Sequence, residues 1–174
     1  WLPGPASPAL QEPMTVLVRA VADFCNVSVT CAAPDAHSAR SKLGAAAEVC
    51  AVHHESARLR DIGPTFLVDG KGGAAAVDWV FNGWGGRAAC ADSDRDFAHA
   101  LLGLAEVRRF RAPLTLEAGS FVTDGENTLL ALAPGVFDEA RNAQLTRIEA
   151  FAIFRHWLGA SRVIWIEQIG RAHV

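Results

Sequence analysis

Residues 128–166, TLLALAPGVFDEARNAQLTRIEAFAIFRHWLGASRVIWI, carry a strand, a helix and a second strand in one run. Thr128 to Ala133 is apolar and compatible with a strand. Thr146 and Glu149 then stand at the spacing of a capping box, ahead of Phe151, Phe154, Trp157 and Leu158, and Gly159 closes the helix. Arg162 to Ile166 follows as a short apolar strand. Working outward, the opening segment repeats this grammar. From about Ala9 to Phe24, Leu10, Met14, Leu17, Val18, Val21 and Phe24 recur every three or four residues, the stripe of a one-sided helix. Asn26 to Cys31 alternates Val27, Val29 and Cys31 with Ser28 and Thr30, as a strand does. Pro34 and Asp35 open a short helix, with Asp35 as candidate N-cap and Gly44 as candidate stop, and Glu48 to Val52 returns as a strand. Between the two units, Ser93 and Asp96 mark the start of another helix carrying Phe97, Leu101, Leu104 and Ala105, and Gly70 to Gly73 reads as a hairpin turn. Alternating short strands and helices predict a mixed α/β fold.

The 174 residues amount to one domain or part of one, with no linker long enough to divide them. Sixteen Lys and Arg against nineteen Asp and Glu leave a net charge of −3, which argues against a surface that neutralises phosphates. Nucleic acid is therefore not an expected partner. At 51% hydrophobic and 20% charged, the chain can bury a core. Its longest runs without Asp, Glu, Lys or Arg are eleven residues, short of the ~18 that suggest a membrane span, so no membrane partner is expected. Cys25, Cys31, Cys50 and Cys90 form no CxxC pair and are expected as reduced thiols in the cytoplasm. The chain opens on Trp1 and not Met, so a removed leader stays open.

Two segments carry more than structure. In Leu59-Arg60-Asp61-Ile62-Gly63-Pro64, a carboxylate stands at the lip of a strand, where turn geometry can aim it into a cleft. The plainer alternative is an Asp that satisfies turn N–H groups. In Asp78-Trp79-Val80-Phe81-Asn82-Gly83-Trp84-Gly85-Gly86, aromatic faces can accept a cation and glycines admit a ligand close to the backbone; the plainer alternative is core aromatics followed by a loop. Other features are weaker. Gly70-Lys71-Gly72-Gly73 lacks the spacing of a P-loop, and no Gly-x-Ser-x-Gly elbow exists. His53 and His54 face opposite ways on an extended backbone and cannot chelate one metal. Glu117-Ala118-Gly119-Ser120 reads as a structural turn.

Together, RDIGPTFLVDGKG (60–72), VDWVFNGWGG (77–86), RFRAPLTLEAGSFVTDGENTLL (109–130) and VIWI (163–166) resemble the agmatine deiminase family, related to bacterial-type peptidylarginine deiminases. The resemblance runs in order from about Val27 to Ile166 and covers the N-terminal half of a family member. It implies the pentein fold, a five-bladed α/β propeller of ββαβ units around a central active site, present here incompletely, with 1–168 as the N-terminal part of one deiminase-like domain. It also implies hydrolysis of a guanidinium to a ureido group and ammonia by a Cys nucleophile, a His acid/base and two Asp that hold the substrate. A guanidinium is planar, permanently charged and rich in N–H donors, so carboxylates can grip it while a thiolate attacks its carbon. By this resemblance Asp61 is the first of those aspartates, and Trp79, Asn82, Trp84 and Gly85 line the way to it. No cofactor and no metal are implied. The implied partner is a small guanidino substrate, and a homo-oligomer is open for a full-length version.

The family's Asp-Glu-Thr-Asp-Gly-His-x-Asp motif and its C-terminal Cys have no counterpart here, so this chain alone is expected to be inactive. Ile169 to Val174 reads as the translation of a sequencing-library adapter, with the natural sequence expected to end near Gln168 and His173 no catalytic residue. Two positions depart from the family. Arg58 stands where Trp is usual; it either opposes a cationic substrate, by roughly 3 kcal/mol at ~6 Å and an effective dielectric near 20, or points into solvent. Ala118 replaces the first Gly of a Glu-Gly-Gly-Ser motif, which harms only if that position needs positive φ. Agmatine deimination is the leading expectation. Deimination of peptidylarginine and a non-catalytic guanidine-binding or structural module are the alternatives.

Overall fold

The computed structural model describes residues 2–3 and 8–167, with side chains from Glu12 onward. The expectation of an artefactual tail at 169–174 lies outside the described residues. The chain runs β1 (Leu2–Pro3), α1 (Pro8–Ala22), β2 (Ser28–Thr30), α2 (Ala36–Leu43) and β3 (Glu48–Cys50). Next come α3 (Leu59–Ile62), β4 (Thr65–Val68), β5 (Ala74–Val80), the single turn α4 (Gly83–Gly86), α5 (Asp92–Leu104) and β6 (Arg108–Thr115). It closes with β7 (Phe121–Thr123), β8 (Thr128–Leu132), α6 (Ala133–Val136), α7 (Glu139–Asn142), α8 (Arg147–Leu158) and β9 (Arg162–Ile166).

Among the described residues these strands form three sheets of three, in the orders β1-β2-β3, β4-β5-β6 and β7-β8-β9. The second and third share one plan: an antiparallel hairpin, then a helical crossover to a parallel strand. That is the expected ββαβ unit. The first sheet is parallel throughout, because α1 and α2 each return the chain to its starting end.

Local chemistry accounts for most boundaries. The α8 capping box forms on both sides: Thr146 Oγ1 accepts from the Glu149 backbone N–H, and the Thr146 N–H donates to the Glu149 carboxylate at 2.9 Å. Hydrogen bonds from Thr146 hold the Glu149 carboxyl below its usual range. Gly159 ends α8 in the left-handed conformation, φ +69°. Asp69 accepts from Lys71 and Gly73 N–H groups, both at 2.8 Å, which closes the β4–β5 hairpin. Two expected caps fail. Asp35 precedes α2 in helical conformation, inside a 3-10 turn at Ala33–Asp35, and its side chain caps nothing. α5 begins at Asp92 rather than after Ser93, and Ser93 Oγ is buried without a partner. Its neighbour Asp94 turns away from its own helix to accept from the Glu55 and Ser56 N–H groups at 2.8 and 3.1 Å.

Among the described residues three apolar clusters result. Val18, Val27, Val29, Leu43 and Val49 fill the first sheet's helical layer. Val77, Leu114, Phe121, Leu129 and Phe154 join the second and third sheets. Val52, Ile62, Phe81, Phe97 and Leu101 sit beneath α3. No helix of the described chain is long and apolar enough to cross a membrane. Phe154 is fully buried, with ring centroids of Trp79, Phe121 and Trp165 6.0–6.5 Å away. Phe154→Ala is expected to cost about 3–5 kcal/mol of unfolding free energy by urea titration, and a loss under about 1 kcal/mol would contradict this packing.

Candidate functional site

The site is built where α3 meets the α4 turn. Ile62, 3% exposed, anchors α3 in its apolar cluster. Gly63 ends α3 with its N–H on the Leu59 carbonyl at 2.8 Å, and a Cβ there would lie 2.5 Å from that oxygen, which is why the turn carries glycine. The approach to α3 is held by Asp94 and by His54, whose Nδ1 meets the Ser56 carbonyl at 2.8 Å and whose Nε2 meets Thr30 Oγ1 at 3.0 Å. Asp61 is thereby presented half-buried on α3.

Opposite lies a backbone rarity. Gly83, Trp84, Gly85 and Gly86 all have positive φ, at 73°, 57°, 74° and 71°, so α4 winds left-handed. Glycine takes this conformation freely, but Trp84 does so at a cost of about 1–2 kcal/mol. Asn82 holds the turn: its side-chain oxygen accepts from the Gly85 N–H at 2.8 Å, and its amide donates to the Ala140 carbonyl at 2.9 Å. Trp84 is also held by Phe81, edge to face at 5.0 Å. The turn delivers the Trp84 indole N–H to Asp61 Oδ2 at 3.0 Å. The other oxygen, Oδ1, lies against Gly119, where a Cβ would collide with it.

Asp61, Asn82, Trp84 and Gly85 are thus brought together. Trp79 stands apart in the core at 6% exposure, its indole N–H on Thr65 Oγ1 at 2.9 Å. It fixes the end of β5 from which the turn departs. Arg58 is exposed, and its guanidinium lies 5.3 Å from the Trp84 ring centroid, so it covers the indole that holds Asp61. Ala118 lies in a 3-10 turn, Ala118–Ser120, outside the left-handed region, and alanine fits there.

Sequence reasoning took Glu117 to Ser120 for a turn and missed two features. Gly119 is the surface on which Asp61 rests. Glu117 is buried, and Arg141 Nε donates to both its oxygens at 3.1 Å. Asp138 joins them, 2.7 Å from Arg87 and 3.4 Å from Arg141. A Glu in an otherwise apolar strand end was the available signal; its partner 24 residues away was not.

The carboxylates divide accordingly. Asp78 is paired with Arg109 at 2.6 Å, Glu117 with Arg141, and Asp138 with Arg87 and Arg141. Among the described residues Asp61 has no basic partner, only the neutral indole N–H. A carboxylate offers about four lone-pair sites, so Asp61 keeps capacity for a further planar donor. No group of three His, Cys, Asp or Glu able to hold a metal occurs among the described residues. An open groove of about 410 Å³ lies elsewhere, lined by Ala133, Phe137, Leu145 and Arg147, and that arginine is engaged by Glu167 at 2.6 Å.

The sequence model of the Porphyromonas-type peptidyl-arginine deiminases matches residues 4–173. The chain belongs to this family. An agmatine deiminase of Stutzerimonas stutzeri is 35% identical over 167 residues, which cover 92% of this chain and 45% of that protein. An agmatine deiminase of Ectopseudomonas mendocina is 32% identical, over 91% of this chain and 45% of that one. The agmatine deiminase structure of Enterococcus faecalis superposes with a TM-score of 0.85 at 27% identity, covering 95% of this chain and 48% of its own. This member of the peptidyl-arginine deiminase family therefore spans a little under half the length of these relatives. The fold is that of a pentein-type α/β propeller, incomplete here: the second and third sheets follow its ββαβ plan, and the described residues close no ring.

Burial pushes the Cys31 and Cys50 thiols above their ordinary pKa, and that of Cys90 rises for the same first reason. A raised thiol pKa means less thiolate at a given pH. Iodoacetamide at pH 8 is therefore expected to label exposed Cys25 first and buried Cys31 and Cys50 last, read by mass spectrometry; equal rates would contradict the burial.

Proposed function

We propose that this chain carries the guanidinium-gripping part of a deiminase that hydrolyses a small guanidino compound, agmatine first, to N-carbamoylputrescine and ammonia. The observation that carries the reading is Asp61: a half-buried carboxylate, oriented by an indole N–H and without a cationic partner among the described residues, while Asp78, Glu117 and Asp138 are each neutralised by arginine. A guanidinium would donate two parallel N–H bonds to such a group, and of the turn's glycines Gly86 has open space where a Cβ would stand. Agmatine is favoured as substrate because the named relatives are agmatine deiminases. Water then supplies the oxygen of the ureido product, and one nitrogen leaves as ammonia. In this proposal the attacking thiolate and the acid/base belong to the part of the full-length protein that corresponds to the rest of the relatives' length, and the reaction needs no metal or cofactor and takes place in the cytoplasm.

Arg58 favours a second reading. Its exposed guanidinium on the Trp84 ring has no carboxylate partner among the described residues, so it could receive the carboxylate of a C-terminal arginine, as in peptidylarginine deimination. It would equally repel agmatine's distal ammonium. Arg58→Trp in a full-length protein separates the two: improved use of agmatine supports the first reading, and selective loss with a C-terminal arginine peptide supports the second.

Asp61→Asn keeps the volume and removes the charge. It is expected to lower kcat/KM on agmatine at least about 100-fold in the full-length protein, roughly 2.7 kcal/mol of lost transition-state binding. An unchanged value would remove Asp61 from the site. The 174-residue chain alone is expected to release no ammonia above an Asp61→Ala control, and measurable turnover would refute the division of labour.

A further inference from the structure

Arg141 lies where three separated pieces of chain meet. Its side chain is 6% exposed, and its Nε bridges both oxygens of Glu117, itself 5% exposed. Its Nη1 reaches Asp138, and the same Nη1 lies 3.0 Å from where a Gly85 Cβ would be. The guanidinium is therefore the surface against which the middle of the left-handed turn rests. One residue before Gly85 is Trp84, whose N–H holds Asp61; two residues after Glu117 is Gly119, against which the same carboxylate rests. Followed through space, Asp61, Trp84, Gly85, Arg141, Glu117 and Gly119 close a ring, and Arg141 stands across it from Asp61.

We propose that Arg141 is a positioning residue, which sets the distance between the turn and the Glu117–Ser120 segment and so holds the Trp84 N–H on Asp61. This rests on the reading above only in that the group positioned is the proposed guanidinium clamp. A planar guanidinium suits the task because one rigid fork can bind a carboxylate along its edge and present a flat surface to a glycine. The ends of the turn are tied by Asn82 to Ala140 and by Arg87 to Asp138; its middle is held from within by Asn82 Oδ1 on the Gly85 N–H, and from outside by Arg141, with Asp138 and Ala140 beside it. Loss of Arg141 also leaves Glu117 buried without a counter-charge, which drives that carboxylate toward water and moves the chain bearing Gly119.

The test reads the Trp84 indole N–H directly, by hydrogen exchange on the ¹⁵N-tryptophan-labelled 174-residue chain, with Trp84→Phe to assign the signal. Arg141→Met is expected to speed that exchange about tenfold or more, the signature of a local opening. Arg109→Met, which breaks the part-buried pair with Asp78 between β5 and β6 and touches no member of the ring, is expected to lower the melting temperature while leaving Trp84 exchange unchanged. Should Arg141→Met fail to fold, Arg141→Lys keeps the charge beside Glu117 without the planar fork, and the same acceleration is expected in a folded chain. Unchanged exchange in the Arg141 variants, or equal acceleration in Arg109→Met, overturns the positioning role. Agmatine titrated into the wild-type chain tests the other reading separately: a Trp84 signal that ignores agmatine counts against the guanidinium clamp, whatever the Arg141 variants do.

Discussion

The site depends on one hydrogen bond, from the indole of Trp84 to the carboxylate of Asp61, across 23 residues of chain. It exists only because the backbone at Trp84 is left-handed, a conformation that costs about 1–2 kcal/mol for a residue with a Cβ. A hydrogen bond to a charged acceptor contributes about 1.5–3 kcal/mol, enough to offset that strain. The three glycines around Trp84 matter for the same reason, since they take positive φ without strain and confine the cost to one residue. Strain held at a single aromatic, and repaid by the group it orients, is what an organised binding surface requires.

Electrostatics then sorts the carboxylates. Burying a charge is costly unless it is paired and hydrogen-bonded, and Asp78, Glu117 and Asp138 meet that condition with arginines. Asp61 meets it only in part. Half-burial and a single neutral donor leave a negative charge that a passing cation can complete, which distinguishes Asp61 from those three; Asp94, buried and likewise without an arginine, is instead held by two backbone N–H groups. Arg58, whose guanidinium lies over the same indole, is exposed and screened by salt within about 8 Å, so it discriminates only between groups a ligand places beside Trp84.

Much of the architecture was legible in order along the chain. The capping box at Thr146 and Glu149, the stop at Gly159, the strand Arg162–Ile166 and the hairpin at Gly70 to Gly73 are local devices that act within a few residues, and each appears where its spacing put it. The caps that failed did so for local reasons, Asp35 because it lies inside a 3-10 turn and Ser93 because α5 starts one residue before it, at Asp92. Asp94 serves Glu55 and Ser56 instead of its own helix, and a bond across 38 residues leaves no spacing to detect. Trp79 and Trp84 look alike in one aromatic stretch, yet the structure buries the first among Phe121 and Phe154 and sends the second to Asp61.

What the sequence determined by itself was therefore periodicity, local capping and the motif that carries Asp61, all of which depend on neighbours within a turn or two of chain. Only the tertiary structure decided that Asp61 rests against Gly119, that Glu117 is neutralised by Arg141, and that four residues from 83 to 86 turn left-handed. The reason is physical: these features are set by burial, by the pairing of charges and by close approach between segments, and those terms have values only once the chain has brought distant residues into contact.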